Sequence, residues 1–297
     1  MRAIVPNYDM KVAPDLASAL AWIAAEPKRW TPFAGGTDLM VVYERGQLPP
    51  GSYLSLHRCA ALRGIEVSET HVTINAMATY SDVRDHAVIY KEFPMLANAA
   101  WESGAIAIQN RGTIGGNIMN GSPAADSPPA LLAYGAEVAL ASVRGTRTLP
   151  YTGFHTGYRT TLAAADELLT AVRLPRVTAL SQRHHFYEKV GTRAFQAISK
   201  VCFAGAASVV DGKLVGVGVG LGSVGPTVVS PTHLVQLLEG HALTDIESLA
   251  AAAADAMRQD IKPIDDIRST ATYRLQVAAN LAADFVRRLG EFATTLS

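Results

Sequence analysis

Apolar positions recur at helical spacing from Asp15 to Ala25, which predicts a first helix after a short extended segment, AIVPNY. FAGGTDLMVVYE reads as a strand end, a glycine turn and a helix start. SYLSLH alternates like a strand, and HVTINAMATYSDV like a strand that turns into a helix. Phe93 to Ala107 is predicted helical and RGTIGGN a glycine-rich turn. SPAADSPPALLAYGAEVAL then gives a loop, a short helix and a strand.

The second half changes character. ADELLTAVRLP leads through a helical turn or loop into a strand ending at Pro175. HHFYEKVGTRAFQAISKVCFAGAASVV and KLVGVGVGLGSVG predict two or three strands, with Asp211-Gly212 as a hairpin turn. VVSPTHLVQLLEG and ESLAAAAADAMRQD read as helices, and TATYRLQVAANLAADFVRRL as a long amphipathic helix. The main boundary is expected near Pro175 to Ser181, and no internal repeat is visible.

Composition narrows the function classes. The 297 residues suffice for two compact domains with real cores. Apolar residues make up 49% and charged residues 18%, with 26 basic against 26 acidic side chains. Zero net charge gives no broad attraction to a nucleic acid backbone. Cys59 and Cys202 are the only cysteines, too few to ligate an iron–sulfur cluster. Cys202, in VCFAGAASVV, reads as a buried small hydrophobe. The N-terminus lacks the long apolar stretch of a signal peptide and no segment reaches the length of a membrane span, so a cytoplasmic chain is expected.

The candidate chemistry lies in two glycine loops, Ala34-Gly35-Gly36-Thr37-Asp38-Leu39 and Thr113-Ile114-Gly115-Gly116-Asn117. Paired glycines let backbone N–H groups approach a ligand and converge on an anion such as a diphosphate. Thr37, Thr113 and Asn117 can add side-chain hydrogen bonds. Neither loop is a dinucleotide-binding or P-loop fingerprint. Asp126, in a proline-stiffened loop, either accepts from a ribose hydroxyl or caps the following helix. His184 and His185 would point to opposite faces of a strand and so not share a metal. Asp265 and Asp266 read as caps or as partners of Arg268 or Arg274; Tyr273 and Arg274 would anchor the last helix. Trp22, Trp30 and Trp101 read as packing or subunit-contact residues.

The ordered set AGGTDL, NRGTIGGN, SPAADSPPALLAYGAEV, ELLTAVRLP, FYEKVGTRAFQAISKV and IKPIDDIRSTATYR covers nearly the whole chain. It resembles the flavin-binding subunit of the xanthine dehydrogenase and carbon monoxide dehydrogenase family of molybdenum hydroxylases. The resemblance implies an α+β fold. Residues 1–176 would form a two-subdomain FAD-binding unit of the vanillyl-alcohol oxidase or PCMH type, with subdomains of roughly 1–57 and 58–176. Residues 177–297 would form an antiparallel sheet with helices. It also implies FAD in this chain, with Ala34, Gly35, Gly36, Thr37, Asp38, Leu39, Thr113, Ile114, Gly115, Gly116 and Asn117 around its diphosphate and Phe33 and Asn110 among the cofactor-binding residues. Asp126 matches a position on the adenosine side, Leu169 an apolar position near a ring system, and Lys189 a lysine near the flavin end. The implied partners are a small subunit with two 2Fe-2S clusters and a large subunit with a molybdenum–pterin cofactor, in a heterotrimer or a dimer of heterotrimers. Electrons would pass from the clusters through FAD to a terminal acceptor.

Several positions depart from the family pattern. Gln109 stands where relatives have arginine, and Ala125 where many have glycine. Ser103 replaces an aromatic residue that covers one flavin face in the animal enzymes, leaving Ile106 as the candidate cover. Gln196 and Ala197 replace aspartates beside the Lys200 motif, which argues for an acceptor other than NAD, such as oxygen, a quinone-linked carrier or an electron protein. The substrate belongs to the partner: an N-heteroaromatic compound or an aldehyde is expected. A self-contained FAD-dependent oxidase and a non-catalytic nucleotide-binding assembly protein are the alternatives.

Overall fold

A computed structural model describes residues 8–177, 183–193 and 196–296. The AIVPNY segment, apart from Tyr8, and residues 178–181 of the expected boundary lie outside the described residues. Helices sit beside separate sheets, which bears out the α+β expectation.

The first sheet is small and parallel. It contains β1 (Tyr8–Val12), β2 (Trp30–Phe33) and β3 (Gly51–Ser55) in the order β1-β3-β2. Helix α1 (Leu16–Ala25) joins the first two strands; Asp15 caps it by accepting from the Ser18 N–H at 2.7 Å. Helix α2 (Leu39–Glu44) follows the first glycine loop.

The second sheet is antiparallel. Its strands are β4 (Ile65–Val67), β5 (His71–Asn75), β6 (Glu137–Ser142) and β7 (Gly145–Pro150), followed after the hairpin β8 (His155–Gly157) and β9 (Thr160–Thr161) by β10 (Leu168–Pro175). Their order is β4-β5-β10-β6-β7, so the last strand fills the centre. Between β5 and β6 run α3 (Tyr80–Asp85), α4 (Ala87–Glu92), α5 (Pro94–Glu102), α6 (Ile106–Gln109), α7 (Ile114–Asn120) and α8 (Ser127–Ala133). Two expectations need correction here. The helix expected from Phe93 to Ala107 breaks after Glu102, because Gly104 takes the left-handed φ of +69°. RGTIGGN is not merely a turn: Thr113 accepts from the Gly116 N–H and starts α7.

The third sheet contains β11 (Arg183–Val190), β12 (Val201–Val210) and β13 (Lys213–Gly222) in sequential antiparallel order. Asp211 and Gly212 both have positive φ, as a two-residue hairpin turn of this hand requires. The apolar run of β12 follows from burial on both faces. Ala204 and Ala206 meet the core of the second sheet and its helices. Val201, Phe203 and Ala207 meet the core built by α9 (Thr232–Leu238), α10 (Ile246–Asp260) and α11 (Ala271–Leu296). On α11, Ala278, Ala282, Phe285 and Leu289 form the buried stripe, and the Phe285 ring lies 5.7 Å from that of Phe203. Arg274 anchors this helix: it pairs with Asp266 at 2.7 Å and donates to the carbonyls of Lys200 and Ser223.

Glycines join the two halves. A Cβ on Gly218 would lie 2.0 Å from the Ala133 carbonyl oxygen, and one on Gly220 would lie 2.2 Å from that of Pro129. Helix α8 therefore rests on the bare backbone of β13. Gly220→Val is expected to cost about 2–3 kcal/mol by overpacking this seam, read as a lower midpoint in urea unfolding; an unchanged midpoint would show that the seam yields freely.

Candidate functional site

A cleft of about 500 Å³ opens where the first sheet meets the second. It lies beyond the carboxyl ends of β2 and β3, the ends at which parallel α/β layers place their ligand crevices. Ala34, Gly35, Gly36, Thr37, Asp38 and Leu39 form one wall; Thr113, Gly115, Gly116 and Asn117 form the facing wall. Leu56, Tyr80, Ile108, Leu168 and Leu169 supply apolar surface.

The two loops are close neighbours. A Cβ on Gly35 would strike the Arg111 carbonyl oxygen at 2.0 Å, and one on Gly116 would lie 3.8 Å from the Ala34 Cβ. Their amides have opposite fates. Among the described residues, the N–H groups of Ala34, Gly35, Gly36, Thr37, Asp38 and Leu39 donate to no protein acceptor. Gly36 has φ +77°, which turns the row of donors through the loop. In the second loop the donors from Ile114 to Asn117 are spent. Ile114 and Gly115 donate to the carbonyls of Ala78 and Ala76 at 3.0 and 2.9 Å. Gly116 donates to the Thr113 hydroxyl oxygen at 3.1 Å, and Asn117 to the Thr113 carbonyl at 2.9 Å. The expectation that both loops present amides to one anion is thus corrected: capping α7 and docking it on the end of β5 consumes the second set. The second loop contributes close approach and a side chain. The Asn117 Oδ1 is buried without a hydrogen-bond partner.

The other expected residues are dispersed. Phe33 supports the first loop, its ring lying where a Gly36 side chain would be. Ile114 is fully buried beneath the cleft and lines nothing. Asn110 accepts from the Ser81 hydroxyl at 2.6 Å, and Ile106 is 58% exposed; neither lines the cleft. Asp126 neither caps α8 nor faces the cleft. Its carboxylate pairs with Lys189 at 2.9 Å and accepts from the Ser103 hydroxyl at 3.4 Å. Lys189 also donates to the Glu102 carbonyl, so the charges are spent between β11 and the α5–α8 region. Sequence reasoning missed Tyr80 and Ile108. Ile108 lies two residues past the exposed Ile106, and Tyr80 opens α3 just after its Thr79 cap, but neither pattern marks a cleft residue. Burial pushes the Tyr80 phenol well above its ordinary range. His184 stacks on Phe285 while His185 meets the Tyr134 hydroxyl, on opposite faces as expected. No metal-binding cluster occurs among the described residues.

Burial raises the Asp126 carboxyl, while Lys189 and Ser103 hold it down. In Lys189→Met the raising effect is left largely unopposed, so the folded protein favours the protonated acid. Stability from that proton is complete below the unfolded carboxyl value and is lost as pH rises through the folded one. The variant should lag the parent by about 3–5 kcal/mol near neutral pH, and the gap should narrow toward pH ~4. Urea unfolding across that range is the measurement; a pH-independent gap would contradict a buried, unpaired Asp126.

Comparison with known proteins agrees with this architecture. The family described as the FAD binding domain in molybdopterin dehydrogenase matches residues 6–177. The CO dehydrogenase flavoprotein C-terminal domain matches residues 185–289. The carbon monoxide dehydrogenase medium chain of Hydrogenophaga pseudoflava is 29% identical, over 94% of this chain and 95% of its own. The xanthine dehydrogenase FAD-binding subunit of Escherichia coli O157:H7 is 28% identical, over 89% and 90%. A solved structure of the H. pseudoflava carbon monoxide dehydrogenase, lacking the Mo-pyranopterin moiety of its cofactor, superposes with a TM-score of 0.88 at 27% identity, over 95% of this chain and 96% of that one. Matched by the first of these families over more than half its length, the chain belongs to the FAD-binding domain family of the molybdopterin dehydrogenases.

Proposed function

We propose that this chain holds FAD with the diphosphate on the amide row of residues 34–39, and that it relays electrons within a molybdenum hydroxylase. The row itself carries the reading. Six successive N–H groups without a protein acceptor need water or a ligand, and a diphosphate offers oxygens at matching spacing. The glycines at 35 and 36 let such a group approach the backbone. Asn117 Oδ1, an acceptor without a donor, suits a hydroxyl of the nucleotide. Leu168, Leu169 and Ile108 offer apolar surface to the ring systems. In this proposal Phe33 and Ile114 support the two loops from beneath, and Asn110, Ile106, Asp126 and Lys189 act from outside the cleft.

Bound FAD stores two electrons and exchanges them singly or in pairs. The chain's own part is to grip, orient and shield it. The proposed partners are a small subunit with two 2Fe-2S clusters and a large molybdenum–pterin subunit, in a heterotrimer or a dimer of heterotrimers in the cytoplasm. The domain division near residues 176–177 belongs to the same proposal, supported by the separate family matches on either side. The large subunit would hydroxylate an N-heteroaromatic compound or an aldehyde; the relative named for xanthine, a purine, favours the former. With Gln196 and Ala197 at the family's acidic positions, the terminal acceptor is taken to be other than NAD. A self-contained oxidase would need a free base at the cleft. Among the described residues its ionisable lining groups are Asp38, Glu167 and Tyr80; Glu167 is held by Arg147, the Tyr80 phenol is buried, and Asp38 lies beside Arg159.

The native complex should contain about one FAD per copy of this chain, and its absorbance should bleach when the partner's substrate is added. Gly36→Val, whose Cβ would meet the Phe33 ring at 2.6 Å, should lose the flavin while retaining the parent's far-ultraviolet circular dichroism. A flavin-free parent complex, or a fully flavinated variant, would refute the reading.

A further inference from the structure

The cleft has an electrostatic deficit. Among the described residues its lining includes two carboxylates, Asp38 and Glu167, and neither lysine nor arginine. A diphosphate adds negative charge, while backbone amides offer only partial positive charge. Glu167 is offset by Arg147, which donates to both its carboxylate oxygens at 2.7 and 2.8 Å. Asp38 has a looser arrangement. Its ion-pair partner among the described residues is Arg159, with Nη2 standing 3.9 Å from Oδ2, beyond hydrogen-bond reach. The Asn120 side-chain amide adds a long contact of 3.5 Å.

Arg159 is held unusually for so loose a contact. It sits between β8 and β9 with φ +53°, a left-handed backbone that disfavours any residue with a Cβ. Its N–H donates to the Gly121 carbonyl at 3.2 Å. Gly121 ends α7, and a Cβ there would lie 2.8 Å from the Arg159 Cα. The hairpin is thus clamped onto the helix that begins at the second glycine loop. Among the described residues the guanidinium has no hydrogen-bond partner; it is half-exposed and lies 5.7 Å from the Tyr158 ring. A half-exposed pair at 3.9 Å adds little to stability. The left-handed backbone and the Gly121 contact fix where the hairpin carries Arg159, while its side chain stays loosely held beside the first glycine loop.

We propose that Arg159 is a ligand-binding residue: its guanidinium leaves the loose Asp38 contact to neutralise the diphosphate, and so selects phosphate-bearing flavins over riboflavin. This rests on the FAD reading above. The bland alternative is a tether between the hairpin and the first loop, which would affect all flavins alike.

The test titrates the deflavinated full-length chain with FAD and with riboflavin by flavin fluorescence. Arg159→Ala should raise the Kd for FAD about tenfold and that for riboflavin less than about twofold. Arg159→Lys should recover most of the FAD affinity. Arg159→Gly, which relaxes the backbone but removes the charge, should behave like Arg159→Ala. The parent's FAD affinity should also fall more steeply with salt than that of Arg159→Ala. Equal weakening of both flavins, an unchanged Kd for FAD, or identical salt slopes would each overturn the role of Arg159. A parent chain that takes up no FAD would instead overturn the FAD reading itself.

Discussion

The site rests on one constraint: backbone N–H groups removed from water must find acceptors. Helices, ladders and caps meet that demand in the regular elements, but among the described residues the run from Ala34 to Leu39 is left open toward a cleft. Keeping this row open takes several supporting contacts. Phe33 lies under Gly36, and the Arg111 carbonyl occupies the space a Gly35 side chain would need. Two motifs of the same composition thereby divide the work. In the first loop glycine exposes donors; in the second it permits packing, since a Gly115 Cβ would strike Ala76 at 2.6 Å.

The third sheet supports this arrangement from behind. Buried on both faces, it joins the helices of the second half to α8 and the core of the second sheet. Lys189 reaches across that seam to Asp126, a pair with 4% and 15% side-chain exposure. Such a pair adds little net stability relative to apolar packing, but breaking one side of it leaves a buried charge. It therefore penalises displacement of the halves more than it strengthens the fold. Tyr80 links the seam to the cleft, lying in the lining and close enough to feel the Asp126 charge.

The local sequence determined a great deal. Periodicity located the long last helix, and Asp211-Gly212 located a hairpin whose two positive φ values the structure displays. The unbroken apolar run of β12 told of a strand without a solvent face. The double glycines marked both walls of the cleft. These features are legible because burial and backbone dihedral preference are properties of neighbouring residues. Where local signals competed, the reading failed: the helix expected through Gly104 was broken by a left-handed glycine.

Hydrogen-bond partners were decided by the tertiary structure. Nothing within TIGGN reveals that Ala76 and Ala78 will take its amides, or that the similar loop after β2 meets no acceptor. Asp126 does not cap α8 as its local sequence allowed, because Lys189, 63 positions away, claims its carboxylate. Tyr80 and Arg159 reach the cleft region only through packing of α3 and of the β8–β9 hairpin. Sequence alone thus determined which segments are helix, strand or turn and which faces are apolar; the folded chain decided which donors and charges remain available, because that depends on which distant groups arrive first within hydrogen-bond distance.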